Sequence, residues 1–224
     1  MLRLIASLVA VILLGSPPIV YTSSNHVKLL QETVRPLQRL VTSPHDPASP
    51  MFETFCTAFS ISKQHRGWMT VAHCIPPPEA GIALYIDGHA AHVVRVDTNI
   101  DLAILQTPSW QPVNELKFAK NAPRIADTLE VLGYGWGKTV PFYFVASVTM
   151  VEVDFFRSHT VITTVAMGGI SGSPAVDRSG RVVGVAHTRL GGSEASDVSP
   201  LMGITAFSIL QAFDKTFIPY RTLP

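Results

Sequence analysis

Gly169-Ile170-Ser171-Gly172-Ser173-Pro174 sets a serine hydroxyl in a turn between glycines. An alcohol is a weak nucleophile near neutral pH. It needs a base to take its proton, and the base needs a carboxylate to fix its tautomer and steady its charge. Both lie upstream: His73 in Thr70-Val71-Ala72-His73-Cys74, and Asp101 at the head of Asp101-Leu102-Ala103-Ile104-Leu105. A turn without side-chain bulk also lets the N–H groups of Gly169 and Ser171 converge on one point, where an oxyanion can be held. Each piece is weak alone. In one order, each beside an apolar strand-like run, they point to acyl transfer.

Working outward, the chain from residue 51 reads as short β-branched or aromatic runs broken by turn signals. They are Phe55–Ile61, Trp68–Ala72, Ile82–Ile86, His92–Val96 and Leu102–Gln106, then Leu129–Leu132, Phe142–Val151, Val161–Val165, Ala175–Val176, Val182–Ala186 and Met202–Thr205. Asp87-Gly88 is a hairpin turn between two of them. Residues 107–127, with Pro108, Pro112 and Pro123, read as the connection between the two sets. Phe207 to Phe213 has helical spacing and is expected to close the chain as a packed helix.

Two segments precede this unit. Met1-Leu2-Arg3 followed by the apolar run Leu4 to Leu14 has the form of an export signal, shorter than the ~20 residues of a spanning helix. Residues 1–21 are therefore expected to be a signal peptide or an uncleaved anchor, with possible membrane attachment through 4–21 and an extracytoplasmic location. Across 22–50, Val27, Leu29, Leu30, Val34, Leu37, Leu40 and Val41 predict a leader helix, divided at Pro36 and followed by a proline-rich linker.

Hydrophobic residues make up 47% of the chain and charged residues 15%, which excludes a disordered polymer. A net charge of +1, without basic runs or acidic tails, gives no footprint for nucleic acid.

The stretches Phe55-Cys56 through His73-Cys74, Asp97 through Leu105, Val131 through Gly135, Gly169 through Val176, and Gly184-Val185-Ala186 resemble the trypsin-like (chymotrypsin-fold) serine proteases. They lie nearer the bacterial high-temperature-requirement and glutamyl-endopeptidase branches than digestive trypsin, and together span about residues 50–212. The resemblance implies an all-β fold of two packed antiparallel six-stranded barrels. It places His73 and Asp101 on a first barrel over 51–120, and Ser171 with the closing helix on a second over 121–224. It also implies a protein or peptide substrate and no cofactor or metal.

The same resemblance selects among neighbours. Asp101 rather than Asp97 is expected to orient His73, and Ser171 rather than Ser173 to be the nucleophile. It pairs Cys56 with Cys74 as a disulfide. A zinc site from Cys56, His65, His73 and Cys74 is the competing reading, disfavoured because adjacent His73 and Cys74 on a strand would face opposite ways. Where trypsin carries an aspartate for its liberated amine, this chain has Ile170, so activation by N-terminal insertion is not expected. The primary pocket is expected near Val165 and Ala186, with small or medium apolar side chains preferred. A shift of one residue would bring His187 in instead, with a Glu or Gln preference. A catalytically silent binding protein and an esterase-type acyl hydrolase are the alternatives in other functional classes.

Overall fold

The structure, a computed structural model, describes residues 25–42, 49–63, 66–153, 159–190 and 198–215. The expected export segment lies outside these residues. A helix, Asn25–Thr33, leads into six strands: β1 (Val34–Thr42), β2 (Pro50–Ser62), β3 (Gly67–Thr70), β4 (Leu84–Ile86), β5 (His89–Asp97) and β6 (Leu102–Gln106). Six more follow the connection: β7 (Thr128–Gly133), β8 (Phe142–Val153), β9 (His159–Met167), β10 (Pro174–Val176), β11 (Val182–Leu190) and β12 (Val198–Thr205). A second helix, Phe207–Lys215, closes the described chain.

Each set curls into a closed barrel. The neighbour order is β1-β2-β3-β6-β5-β4 in the first and β10-β11-β12-β9-β8-β7 in the second, with antiparallel pairing throughout. Closure leaves no sheet edge exposed for pairing with another chain. The Asp87-Gly88 turn joins β4 to β5 with both residues at positive φ (49° and 78°), as a tight two-residue hairpin requires. Phe59, Trp68, Leu102 and Ile104 are among the side chains filling the first barrel. The indole N–H of Trp68 donates to Thr107 Oγ1 at 2.9 Å, so this fully buried ring leaves no polar atom unpaired.

One expectation is corrected. Residues 22–50 were predicted to be a helical leader and linker, with the first barrel beginning at 51. The helix ends at Thr33, and Val34–Thr42 is the first strand of the barrel, paired with both β2 and β4. The apolar residues of β1 look helical because their spacing does not mark one face of the strand: Val34, Leu37 and Gln38 are buried while Leu40 is exposed. The register against β2 shifts between Leu37 and Gln38 because β2 carries the extra residue, Phe55. Gln38, buried beside the bulge, is satisfied: its Oε1 accepts the Gly88 N–H at 2.9 Å and its Nε2 reaches Thr54 Oγ1 at 3.4 Å.

The two helices strap the barrels crosswise. The leading helix feeds the first barrel, yet its His26 and Leu29 pack beside Gly180, in the β10–β11 turn of the second. The closing helix follows the second barrel, yet its Leu210 and Phe213 belong to the core cluster that contains the first. The Arg95 guanidinium of β5 lies 4.1 Å from the centre of the Phe213 ring, a cation–π contact across that junction.

Candidate active site

His73 lies in a single 3₁₀ turn, Ala72–Cys74, that follows β3. Val71 before it is extended (φ −98°, ψ 152°), and Ile75 N–H closes the turn on Ala72 O at 2.9 Å. Cys74 in the same turn is joined by a disulfide to Cys56 on β2, with a Cα–Cα distance of 6.3 Å. The cross-link ties the turn carrying the imidazole to the neighbouring strand and leaves neither cysteine as a thiolate ligand. His65 of the competing zinc reading lies outside the described residues.

Asp101 ends the turn before β6 and has φ +54°, a left-handed conformation that aspartate tolerates better than most residues. Its Oδ2 lies 2.8 Å from His73 Nδ1, and its Oδ1 accepts the His73 backbone N–H at 2.9 Å. Both oxygens thus grip the same residue, fixing the ring plane. Burial pushes the Asp101 carboxyl up. Hydrogen bonds from the His187 and His73 side chains and from the His73 backbone, with the His73 charge, outweigh that and hold it well below the usual carboxylate range. Asp97 does something else: its Oδ1 accepts Asn99 N–H at 3.2 Å in the turn leading to Asp101.

Ser171 stands on the turn between β9 and β10. Gly169 there has φ +89°, and a Cβ on it would come 2.7 Å from Tyr134 O. The two N–H groups that follow Ser171 are used: Gly172 donates to Ala186 O at 2.7 Å and Ser173 to Ile170 O at 3.0 Å. Among the described residues, no hydrogen bond takes up the N–H of Gly169 or Ser171. Two donors left open beside a nucleophile are what an oxyanion hole requires. Ile170 is 3% exposed and belongs to the second barrel's core, against Gly133, where a Cβ would collide with its Cδ1. The turn is held by packing where an ion pair would otherwise be needed. Ser173 is fully buried and its hydroxyl donates to Ile170 O at 2.6 Å, so it braces the turn.

Thr57 was invisible to sequence reasoning. Buried on β2 next to Cys56, it donates its backbone N–H to Ser171 O at 2.8 Å and its hydroxyl to Gly169 O at 3.2 Å. The same Oγ1 accepts Tyr134 N–H at 2.8 Å, and Thr57 O accepts the Thr70 hydroxyl at 2.7 Å. One first-barrel residue thereby fixes both ends of the second barrel's Gly169–Ser171 segment. A lone threonine in a strand gives no such signal. Only its place after the cysteine expected beneath the histidine hinted at proximity.

A cavity of about 280 Å³ opens here, bordered by His73, Met167, Gly168, Ile170, Ser171, His187 and Met202. The structure thus brings His73, Asp101, Ser171, Gly169 and His187 together. Ala186 packs fully buried in the second barrel's core. Val165 lies along β9, and its side chain is outside the described set.

The fold resembles solved proteases. The active form of the protease Rv3671c from M. tuberculosis superposes with a TM-score of 0.65 at 21% identity, covering 94% of this chain and 91% of that one. Its inactive form gives 0.62 at 23% identity, covering 91% and 98%. The HtrA-type protease AlgW with a tripeptide gives 0.67 at 17% identity, covering 87% of this chain and 62% of its own. No curated protein matches the chain in sequence. The trypsin-like peptidase domain matches residues 56–185, from the disulfide cysteine into β11. With that match over more than half its length, the chain belongs to the trypsin-like peptidase family.

Proposed function

We propose that this protein is an exported serine endopeptidase acting through an acyl-enzyme on Ser171. The observation that carries the reading is the Asp101–His73 pair, at 2.8 Å, with His73 and Ser171 bordering one cavity and the N–H groups of Gly169 and Ser171 taken up by no hydrogen bond among the described residues. In this mechanism His73 takes the Ser171 hydroxyl proton as Oγ attacks the peptide carbonyl. Asp101 keeps Nδ1 protonated and steadies the imidazolium. The carbonyl oxygen, now anionic, is held by the N–H groups of Gly169 and Ser171. Collapse breaks the C–N bond, His73 returns the proton to the leaving amine, and water repeats the sequence in reverse to release the acid and free Ser171.

Met167 and Met202 give the cavity an adaptable apolar lining, which supports a small or medium apolar side chain before the cleaved bond. His187 in the same cavity supports a second reading, a Glu or Gln side chain. Export rests on the apolar run Leu4 to Leu14 and agrees with a disulfide, which persists in oxidising compartments.

A fluorophosphonate probe on the full chain, followed by peptide-library cleavage, tests both levels. Labelling at Ser171 that vanishes in Ser171→Ala, with cleavage of internal peptide bonds, is expected. A chain that takes no label is a silent protease fold. A labelled chain that cleaves esters and no peptide is an acyl hydrolase of another kind.

A further inference from the structure

We infer that the second barrel carries a further peptide-binding site, at the far end of β10 from Ser171, built for an acidic segment of a polypeptide. It goes beyond the endopeptidase reading above, because it holds chain away from the bond that is cut.

A cavity of about 500 Å³, larger than the one beside Ser171, opens where the connection between the barrels meets the β10–β11 turn. Ser171 precedes β10 and Asp177 directly follows it, so this short strand, Pro174–Val176, runs from one site to the other. The floor is apolar: Leu129 of β7 and Val183 of β11 are buried members of the second barrel's core. The walls are polar and preformed. On the connection, Ala126 holds φ +70°, a strain that persists only where the surroundings impose it. Its N–H donates to Val148 O at 2.8 Å, and Val148 N–H donates back to Asp127 O at 2.9 Å. On the turn, Asp177 Oδ1 accepts Ser179 N–H at 2.8 Å, the Ser179 hydroxyl at 2.6 Å and Arg181 N–H at 3.1 Å.

The charges left for a ligand are cationic. Both carboxylates serve their own loops, Asp177 as above and Asp127 by accepting Arg124 N–H on Oδ2 at 2.7 Å. Arg124 on the connection and Arg178 on the turn both line the cavity, with exposed side chains. Among the described residues neither guanidinium is in an ion pair, and Arg178 Nη2 reaches only Thr128 Oγ1, at 3.4 Å. A guanidinium fork fits a carboxylate with two parallel hydrogen bonds. Two such forks beside an apolar floor suit a Glu or Asp side chain with an apolar neighbour. A small inorganic anion would engage the arginines and leave the floor unused, which favours polypeptide. The volume lies in the range of sites that bury a ligand of several residues' side chains.

The test titrates fluorescein-labelled peptides with the full chain carrying Ser171→Ala, which lacks the proposed nucleophile, and reads anisotropy. One peptide sets two glutamates beside a leucine; its control has glutamine in their place. The acidic peptide should bind, more weakly as salt is raised, and the glutamine peptide should not. Arg124→Gln and Arg178→Gln should each weaken binding about 10- to 100-fold, the worth of one hydrogen bond to a charged group. Both positions are exposed and glutamine stays polar, so the fold tolerates them. Arg181→Gln removes the same charge from the same turn outside the cavity, and should leave the affinity close to that of the parent. Equal losses in all three variants would reduce the binding to diffuse surface charge and overturn the site. Displacement of the peptide by an equal concentration of inorganic phosphate would also overturn it, as a site for small anions. So would a chain that does not bind the acidic peptide. None of these outcomes touches the endopeptidase reading, which fails separately if the wild-type chain takes no label at Ser171.

Discussion

The backbone N–H of Thr57 donates to the carbonyl oxygen of Ser171 at 2.8 Å, so the proposed nucleophile is held at its main chain by the barrel opposite its own. The Thr57 hydroxyl adds a bond to Gly169 O and receives one from Tyr134 N–H. Thr57→Val removes the hydroxyl and keeps the backbone bond and the volume. It should lower kcat about 10- to 100-fold, as small displacements of catalytic groups do, with KM nearly unchanged. The buried Tyr134 N–H and Gly169 O left without partners should also cost about 1–3 kcal/mol each. Steady-state kinetics beside denaturant titration check both, and Thr57→Ser should stay close to wild type. An unaltered kcat in Thr57→Val would show the turn to be self-supporting.

Asp101→Asn should cost about 10⁴ in turnover, because the amide no longer enforces the required imidazole tautomer. It should also change how stability depends on pH. The native carboxyl titrates well below its ordinary value, held down by the donors of His187 and His73 against the opposing effect of burial. A carboxyl depressed in the folded state adds stability that is complete above its unfolded pKa of about 3.9 and fades as pH falls toward the folded value. The part of the melting-temperature gap between wild type and Asp101→Asn that comes from this carboxyl should therefore shrink as pH falls below about 4. A gap that widens in acid would mean that the carboxyl is not held down by its partners.

Gly172 has φ +88°, and a methyl group there would overlap Thr57 O and the Thr70 hydroxyl. Gly81 has φ +63° with nothing within 4 Å of a Cβ. Gly81→Ala should cost only the left-handed penalty, about 1–2 kcal/mol. Gly172→Ala should lose soluble expression or all activity, because the barrels must part to admit the methyl. Comparable melting temperatures for the two variants would rule out the close inter-barrel approach.

The disulfide joins residues separated by 18 in sequence and anchors the turn that carries His73. Such a loop is worth about 3 kcal/mol, or about 6–12 °C of melting temperature in a chain of this size. Reduction, or the Cys56→Ala/Cys74→Ala pair, should lower the melting temperature by that order and reduce kcat more than it changes KM. Calorimetry with and without reductant decides, and an unchanged transition would count against it.

The strands after residue 51 were readable because β-branched runs and turn residues alternate cleanly there, and Leu102–Gln106 was predicted with the bounds it has. That His73 would meet Asp101 and share a cavity with Ser171 was readable because each adjoins such a run. β1 was not, because its apolar residues do not alternate with its buried face: Gln38 is buried and Leu40 exposed, and the spacing of Val34, Leu37 and Leu40 imitates a helix. A bulge also separated Ala186 from His187, whose sides a count along the chain could not assign. Thr57 was beyond reach for another reason. Its importance arises from tertiary pairing with a turn more than a hundred positions away, and its residue type is unremarkable in a strand.

The crossed helices carry a consequence for how the chain would survive cutting. Each barrel is gripped by a helix covalently attached to the other, through Leu29 and His26 against the Gly180 turn and through Phe213 beneath Arg95. The peptide connection over residues 107–127 is then only one of several ties between the halves. A single nick there should leave a two-fragment particle in which His73 and Ser171 still border one cavity. Loss of either helix, Asn25–Thr33 or Phe207–Lys215, should loosen the barrel it grips more than that nick would.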